Sequence, residues 1–167
     1  AAPGQYPSGA VWILFLNANG TVKAHQKIDD DEGGFQGELG LGDVLGTALA
    51  MLDDFNGDGL PEIAVGAGDD GNGGPDLGAV WILFMNPDGT VRGYRKISAT
   101  NGGFGGQLDE LDFFGRAVAP LGDLDGDGFG DLGVCAVVDD DGGQDRGAVW
   151  ILFMGGSSDG PSHFLPF

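Results

Sequence analysis

The chain has 167 residues, enough for one domain with a buried core, and 26 Asp and Glu against 7 Lys and Arg give a net charge of −19. That balance repels nucleic acid and anionic lipid surfaces and attracts cations. No apolar run reaches the length of a membrane span, no stretch reads as a signal peptide, and the single cysteine, Cys135, excludes an internal disulfide.

The chain is organised by a repeat. The heptapeptide "GAVWILF" begins at Gly9, Gly78 and Gly147, a spacing of 69 residues both times. At that offset roughly half of the positions in the first two copies agree. The units expected are 1–8 as the tail of a preceding repeat, 9–77 and 78–146 as full repeats, and 147–167 as a partial repeat with a divergent tail.

In chain order, Ala10–Leu16, Ala79–Met85 and Ala148–Met154 are continuous apolar runs rich in β-branched and aromatic residues. Such runs suit strands buried on both faces. The turns "NANG" (Asn17–Gly20) and "NPDG" (Asn86–Gly89) follow. Asn-Gly and Asp-Gly predict tight hairpins with positive φ at both central residues. Return strands are predicted over Thr21–Ile28 and Thr90–Ile97; they carry Lys23, Lys27, Arg92, Arg95 and Lys96, as protected edge strands do. A Gly-rich loop with Phe35 or Phe104 leads to a strand with small alternating residues, Ala48 and Ala50 or Ala117 and Ala119. An Asp-rich loop and a short strand, Glu62–Ala67 or Asp131–Val137, complete the unit. No segment has a helical period with caps, so the chain is all-β.

Leu45-Gly46 and Phe114-Gly115 sit where a Phe-Gly motif opens a repeat, and "VGAG" at Val65–Gly68 sits where a Gly-Ala-Pro motif closes its second strand. "AAPG" at Ala1–Gly4 matches the tail of that motif. With the Asp-rich loop, this order of motifs resembles the FG-GAP repeats of the integrin α-subunit β-propeller and its bacterial relatives. Leu45 departs from the pattern, as does "VCAV" at Val134–Val137, where Cys135 takes the place of a Gly. The resemblance implies propeller blades of four antiparallel strands, A to D from the axis outwards. The chain would supply C-D, then A-B-C-D, then A-B-C, with "HFLPF" at His163–Phe167 as a possible last strand. About two and a half blades do not close a ring. Further blades of a longer chain, or other copies assembled head-to-tail into a ring or filament, would complete them.

The Asp-rich loops place Asp54, Asn56, Asp58 and Glu62, and Asp123, Asp125, Asp127 and Asp131, at positions 1, 3, 5 and 9. Hard cations such as Ca²⁺ take six to eight oxygen ligands in a flexible shell. The carbonyl at position 7, of Leu60 or Phe129, could add a donor, and Gly59 and Gly128 stand where the chain bends. An EF-hand needs an acid at position 12, where Val65 and Val134 stand. The resemblance therefore implies the shorter calcium loop of the propeller family, one Ca²⁺ per loop and two in all. Its role is expected to be structural, since the loop offers no open coordination position beside a base. The alternative is a metal-free Asp-Gly turn.

Other features read as structure. The acidic runs Asp29–Glu32, Asp69-Asp70 and Asp139–Asp141 are expected to be solvated loops, with further cation sites as the alternative. Asp43 and Asp112 would cap turns. Trp12, Trp81 and Trp150 are expected in the core. Asn19-Gly20-Thr21 fits a glycosylation sequon, but its counterpart Asp88-Gly89-Thr90 favours a turn. Neither His25 nor His163 is repeated, and Cys135 reads as a small buried residue. No nucleophile, zinc or phosphate-loop pattern is present, so no catalytic residue is expected. The reading is a calcium-stabilised extracellular or cell-surface protein of structure, adhesion or assembly, without membrane insertion. Its partners would be further blades, other copies, a cell-surface protein or a glycan. A carbohydrate-binding, lectin-like propeller and a fragment of a secreted hydrolase or lyase are the alternatives.

Overall fold

The computed structural model describes residues 8–71 and 75–155. The expected motifs at Ala1–Gly4 and His163–Phe167 lie outside the described residues. Those described contain nine strands and no helix. They are β1 (Val11–Leu16), β2 (Val22–Ile28), β3 (Ala48–Met51), β4 (Ile63–Ala67), β5 (Ala79–Met85), β6 (Val91–Ile97), β7 (Phe114–Gly122), β8 (Asp131–Ala136) and β9 (Ala148–Leu152).

The strands form three antiparallel sheets of order β1-β2, β3-β4-β5-β6 and β7-β8-β9. The middle sheet is a complete four-stranded propeller blade, A to D. The first supplies C-D and the third A-B-C. We call them blades I, II and III. The register repeats as the sequence does: Val65 faces Trp81 across β4 and β5, and Val134 faces Trp150 across β8 and β9.

Successive blades are coupled through the Leu-Gly and Phe-Gly motifs. Leu45 N–H donates to the Ser8 carbonyl at 2.7 Å, and Phe114 N–H donates to the Leu77 carbonyl at 3.0 Å. Parallel bridges join Gly9 to Leu45 and Gly78 to Phe114. Each blade thus starts by gripping the chain just before the C strand of the blade behind it. The side chains of Leu45 and Phe114 are buried as plugs.

β5 lies at the centre, and all seven of its residues are buried. Val80, Ile82 and Phe84 pack with Phe114, Leu132 and Val134 towards blade III. Trp81, Leu83 and Met85 pack with Val11, Ile28, Phe35 and Leu45 towards blade I. Alternation across a strand sends one set to each neighbour, which explains why a strand between two blades has no polar residue.

Among the three copies of this apolar strand, burial on both faces holds for β5 alone. β1 and β9 have the same apolar sequence but alternate between covered and open positions. Trp12 is 52% exposed against 2% for Trp81, and Trp150 is half-buried. Of the three tryptophans expected in the core, Trp81 is in it, Trp150 packs half-buried against it and Trp12 is corrected to an exposed position, because of the three strands only β5 has a described blade on each side. Cys135 is half-buried for the same reason.

The turns also differ from expectation. Gly20 N–H donates to the Asn17 carbonyl at 2.9 Å and Gly89 N–H to the Asn86 carbonyl at 3.0 Å. Only Gly20 and Gly89 take positive φ, 82° and 84°; Asn19 and Asp88 do not. The register shifts beside each turn, at Phe15/Leu16 and Phe84/Met85. This is a type I turn with a left-handed glycine and a bulge, not a two-residue turn. Asn19 Oδ1 accepts from Thr21 N–H at 3.1 Å and Oγ1 at 2.7 Å, and Asp88 does the same for Thr90 at 3.0 and 2.7 Å. Both residues serve the turn.

Candidate metal centre

Each Asp-rich loop joins an A strand to a B strand, between β3 and β4 and between β7 and β8. A tight turn of Asp and Gly leaves many backbone N–H groups without a ladder partner. The first Asp of each loop collects them. Asp54 Oδ1 accepts from the N–H of Gly57 and Asp58 at 2.7 and 3.1 Å, and Oδ2 from Gly59 at 2.8 Å. Asp123 does the same for Gly126, Asp127 and Gly128 at 2.6, 3.1 and 3.0 Å. Positions 3 and 5 add short turns of their own: Asn56 accepts from Asp58 N–H and Asp58 from Leu60 N–H, matched by Asp125 with Asp127 and Asp127 with Phe129. The loops are therefore the same object built twice.

The acid at position 9 closes each loop from beneath. Glu62 is fully buried; its Oε2 accepts from Phe55 N–H at 2.7 Å and its Oε1 from Asn56 Nδ2 at 2.6 Å. Burial pushes the Glu62 carboxyl above the usual range, the Phe55 N–H opposes this, and Asp54 and Asp58 reinforce it. Asp131 is also fully buried, with Oδ2 accepting from Leu124 N–H at 2.8 Å and Oδ1 from Met154 N–H at 2.9 Å.

The loops differ in what faces that acid. In the first, the Asn56 amide donates to Glu62. In the second, Asp125 has nothing to donate. One oxygen each of Asp123, Asp125 and Asp131 lies within 4.8 Å of the others. Three convergent carboxylates, one of them buried, are the kind of donors that a hard divalent cation takes, half or fewer of the six to eight that complete its shell. Position 5 has a further role in the first loop: Asp58 Oδ2 pairs with Arg92 of β6 at 2.5 Å. The sequence marks Arg92 only as an edge residue, and its reach to the loop was not legible there. Leu60 is half-buried, and Phe129, half-buried as well, places its ring 5.8 Å from that of Phe55.

The remaining acids separate into two kinds. Asp43 Oδ2 accepts from Gly40 N–H at 2.6 Å and Asp112 Oδ2 from Asp109 N–H at 2.7 Å, the turn caps expected. Asp29, Asp70 and Asp139, expected to be solvated, are instead buried. Asp29 pairs with Lys27 and accepts two backbone N–H groups. Asp70 pairs with Lys96. Lys96 also covers the Trp81 ring, and with Gln36, Glu38, Trp81, Tyr94 and Asn101 lines a cavity of about 430 Å³. Trp81, although it lines this cavity, is only 2% exposed.

Stacked antiparallel blades, the middle one complete with four strands, with an acidic A–B loop define a β-propeller protein. Comparison with known proteins agrees. Residues 45–83 match the FG-GAP repeat family model. Over 148 residues, 88% of this chain, the sequence is 31% identical to phosphatidylinositol-glycan-specific phospholipase D of Rattus norvegicus. It is 32% identical to integrin alpha-2 of Mus musculus over 74% of the chain, and 38% identical to integrin alpha-V of Gallus gallus over 70%. The chain belongs to the FG-GAP repeat family. It spans 17% of the length of that phospholipase and 10% of each of those integrins.

Proposed function

We propose that the chain is a calcium-binding propeller segment of an extracellular or cell-surface protein, with one Ca²⁺ in each Asp-rich loop. Asp54, Asn56, Asp58, Glu62 and the Leu60 carbonyl would hold the first ion; Asp123, Asp125, Asp127, Asp131 and the Phe129 carbonyl would hold the second. The observation that carries the reading is the convergence of Asp123, Asp125 and Asp131 on one point. The ion's role is to hold the A–B hairpin of each blade. The donors converge on the cation and on the backbone, so we assign these blades no catalytic step.

Among the described residues blade I supplies C-D and blade III A-B-C; further propeller sequence, or another copy of the chain, would supply the strands that complete them. Adhesion is the role proposed for the assembled propeller.

Calorimetric titration with Ca²⁺ tests the site, with melting curves in Ca²⁺ and in chelator. Two ions should bind, and saturation should raise Tm by on the order of 10 °C, from about 2.7 kcal/mol per site at a hundredfold excess over Kd. An unchanged melting curve in chelator would sink the reading.

A further inference from the structure

In blade II, Lys96 of β6 stands opposite Trp81 of β5. Its ammonium lies 2.8 and 2.7 Å from the two carboxylate oxygens of Asp70 and 4.8 Å from the centre of the Trp81 ring. Asp70 is 1% exposed. A carboxylate so buried is costly without a cation beside it. The D strand therefore does more than cover an edge: it delivers the charge that Asp70 requires.

Blade III repeats the acceptor half of this arrangement. Asp139 follows Asp70 by 69 residues and is 4% exposed. Its Oδ1 accepts from Asp141 N–H and its Oδ2 is buried with no hydrogen-bond partner; Asp70 Oδ2 likewise accepts no hydrogen bond but has the Lys96 ammonium beside it, and no described cation stands beside Asp139. Asp112, in the place of Asp43, is buried as well, and Asp139 adds to the burial that pushes its carboxyl up. Trp150 holds the place of Trp81. Among the described residues nothing supplies the donor half. Among the described residues, β9 pairs with β8 on one edge and with no strand on the other. The sequence after β9, residues 153–167, contains no Lys or Arg, and Leu165 stands 69 residues after Lys96.

We propose that the open edge of β9 takes an antiparallel strand that carries a lysine opposite Trp150, with its ammonium on Asp139. The partner is a basic extended segment of the chemistry of Val91–Ile97, supplied from outside the sequence described. Main-chain bonds to β9 give the binding, and the ion pair gives the register and the choice of strand. An uncharged strand in the same place would seal Asp139 from water with nothing on its second oxygen. The inference rests on the blade architecture and not on Ca²⁺.

The test uses the full chain and a labelled peptide with the sequence of residues 90–98, which already adopts this register on β5. Binding is read by fluorescence anisotropy at about 0.15 M salt, where distant charges are screened. The peptide should bind, and its Lys96→Gln version should bind about tenfold or more weakly. Against the Asp139→Asn chain the two peptides should differ by less than about threefold. Asp140→Asn, at an exposed neighbour, controls for general charge and should leave the tenfold ratio intact. Absence of binding, as when the chain's own C-terminal residues hold the edge, overturns the proposal. Equal binding of the two peptides to the unaltered chain overturns it too, as does a lysine preference that survives Asp139→Asn or falls equally with Asp140→Asn.

Discussion

Gly66 of β4 lies under the Gly115 carbonyl of β7 so closely that a Cβ added to Gly66 would sit 2.0 Å from that oxygen. The contact is between blades II and III and is made by backbone on both sides. Gly66 therefore owes its identity to the approach of the next blade. Cys135 holds the equivalent place in blade III and is half-buried, with room for a side chain. A further blade seated on blade III in the same way would meet the Cys135 Cβ.

Gly66→Ala should consequently destabilise the chain by about 2 kcal/mol or more, since neither backbone can yield cheaply. Cys135→Ala should cost less than about 1 kcal/mol, because it deletes one half-exposed sulfur. Urea denaturation of the two variants checks the contrast. Similar losses at both positions would show that the blade contact is not what selects glycine.

The 69-residue repeat made the blades legible, because identical words at a fixed spacing must fold alike. It did not reveal that "VWILF" would be buried in β5 and half-open in β1 and β9. Burial there depends on which neighbours are present, and the three copies read the same. Val44 and Phe113 both take positive φ, 53° and 54°, just before the Leu-Gly and Phe-Gly motifs. Nothing in a valine announces that conformation. The ligand spacing of the acidic loops was legible; the pairing of Asp58 with Arg92, and of Asp70 with Lys96, was not, since each partner arrives from a distant strand.

Asp43 provides a pH prediction. Burial raises its carboxyl above the ordinary Asp range, the Gly40 N–H opposes this, and Asp70 adds to the rise. A raised folded pKa means that the native state binds a proton more tightly than the unfolded chain does. The associated stability is fully present below the unfolded value and is lost as pH rises through the folded one. In the metal-free chain Asp43 should therefore contribute stability on acidification from neutral towards the Asp range, and Asp43→Asn should lack that contribution. Denaturation midpoints across that window, compared between the two proteins, decide it; parallel curves would count against the assignment.

Within the second loop, Asp123 and Asp125 should respond differently to substitution. Asp123 accepts three backbone N–H groups, so Asp123→Ala removes a turn anchor as well as a proposed ligand. It should cost about 1–3 kcal/mol in chelator and more in Ca²⁺. Asp125→Asn copies what Asn56 does in the first loop, and should leave metal-free stability within about 1 kcal/mol while weakening Ca²⁺ binding. If Asp123→Ala were neutral in chelator, the anchor role would be refuted.

The two loops should also bind Ca²⁺ unequally. The first offers three carboxylates and an amide, and without metal the Asn56 Nδ2 already satisfies Glu62 Oε1. Binding there must break that bond if Glu62 is to turn its oxygen to the ion, and must compete with Arg92 for Asp58. The second offers four carboxylates, three of them converging with no amide between them. Greater ligand charge raises affinity, and relief of carboxylate repulsion adds to it. A titration should resolve a tighter and a weaker site, with Asp125→Asn weakening the tighter one. Asn56→Asp should strengthen the weaker site by about tenfold and lower metal-free stability, since it replaces the donor to Glu62 by a fourth negative charge. Arg92→Gln should strengthen the same site without that loss, because Arg92 lies on the exposed edge strand. Should Asn56→Asp leave Ca²⁺ affinity unchanged while Asp125→Asn abolishes it, only the second loop holds an ion, and the first is a turn that keeps the pattern through hydrogen bonds alone.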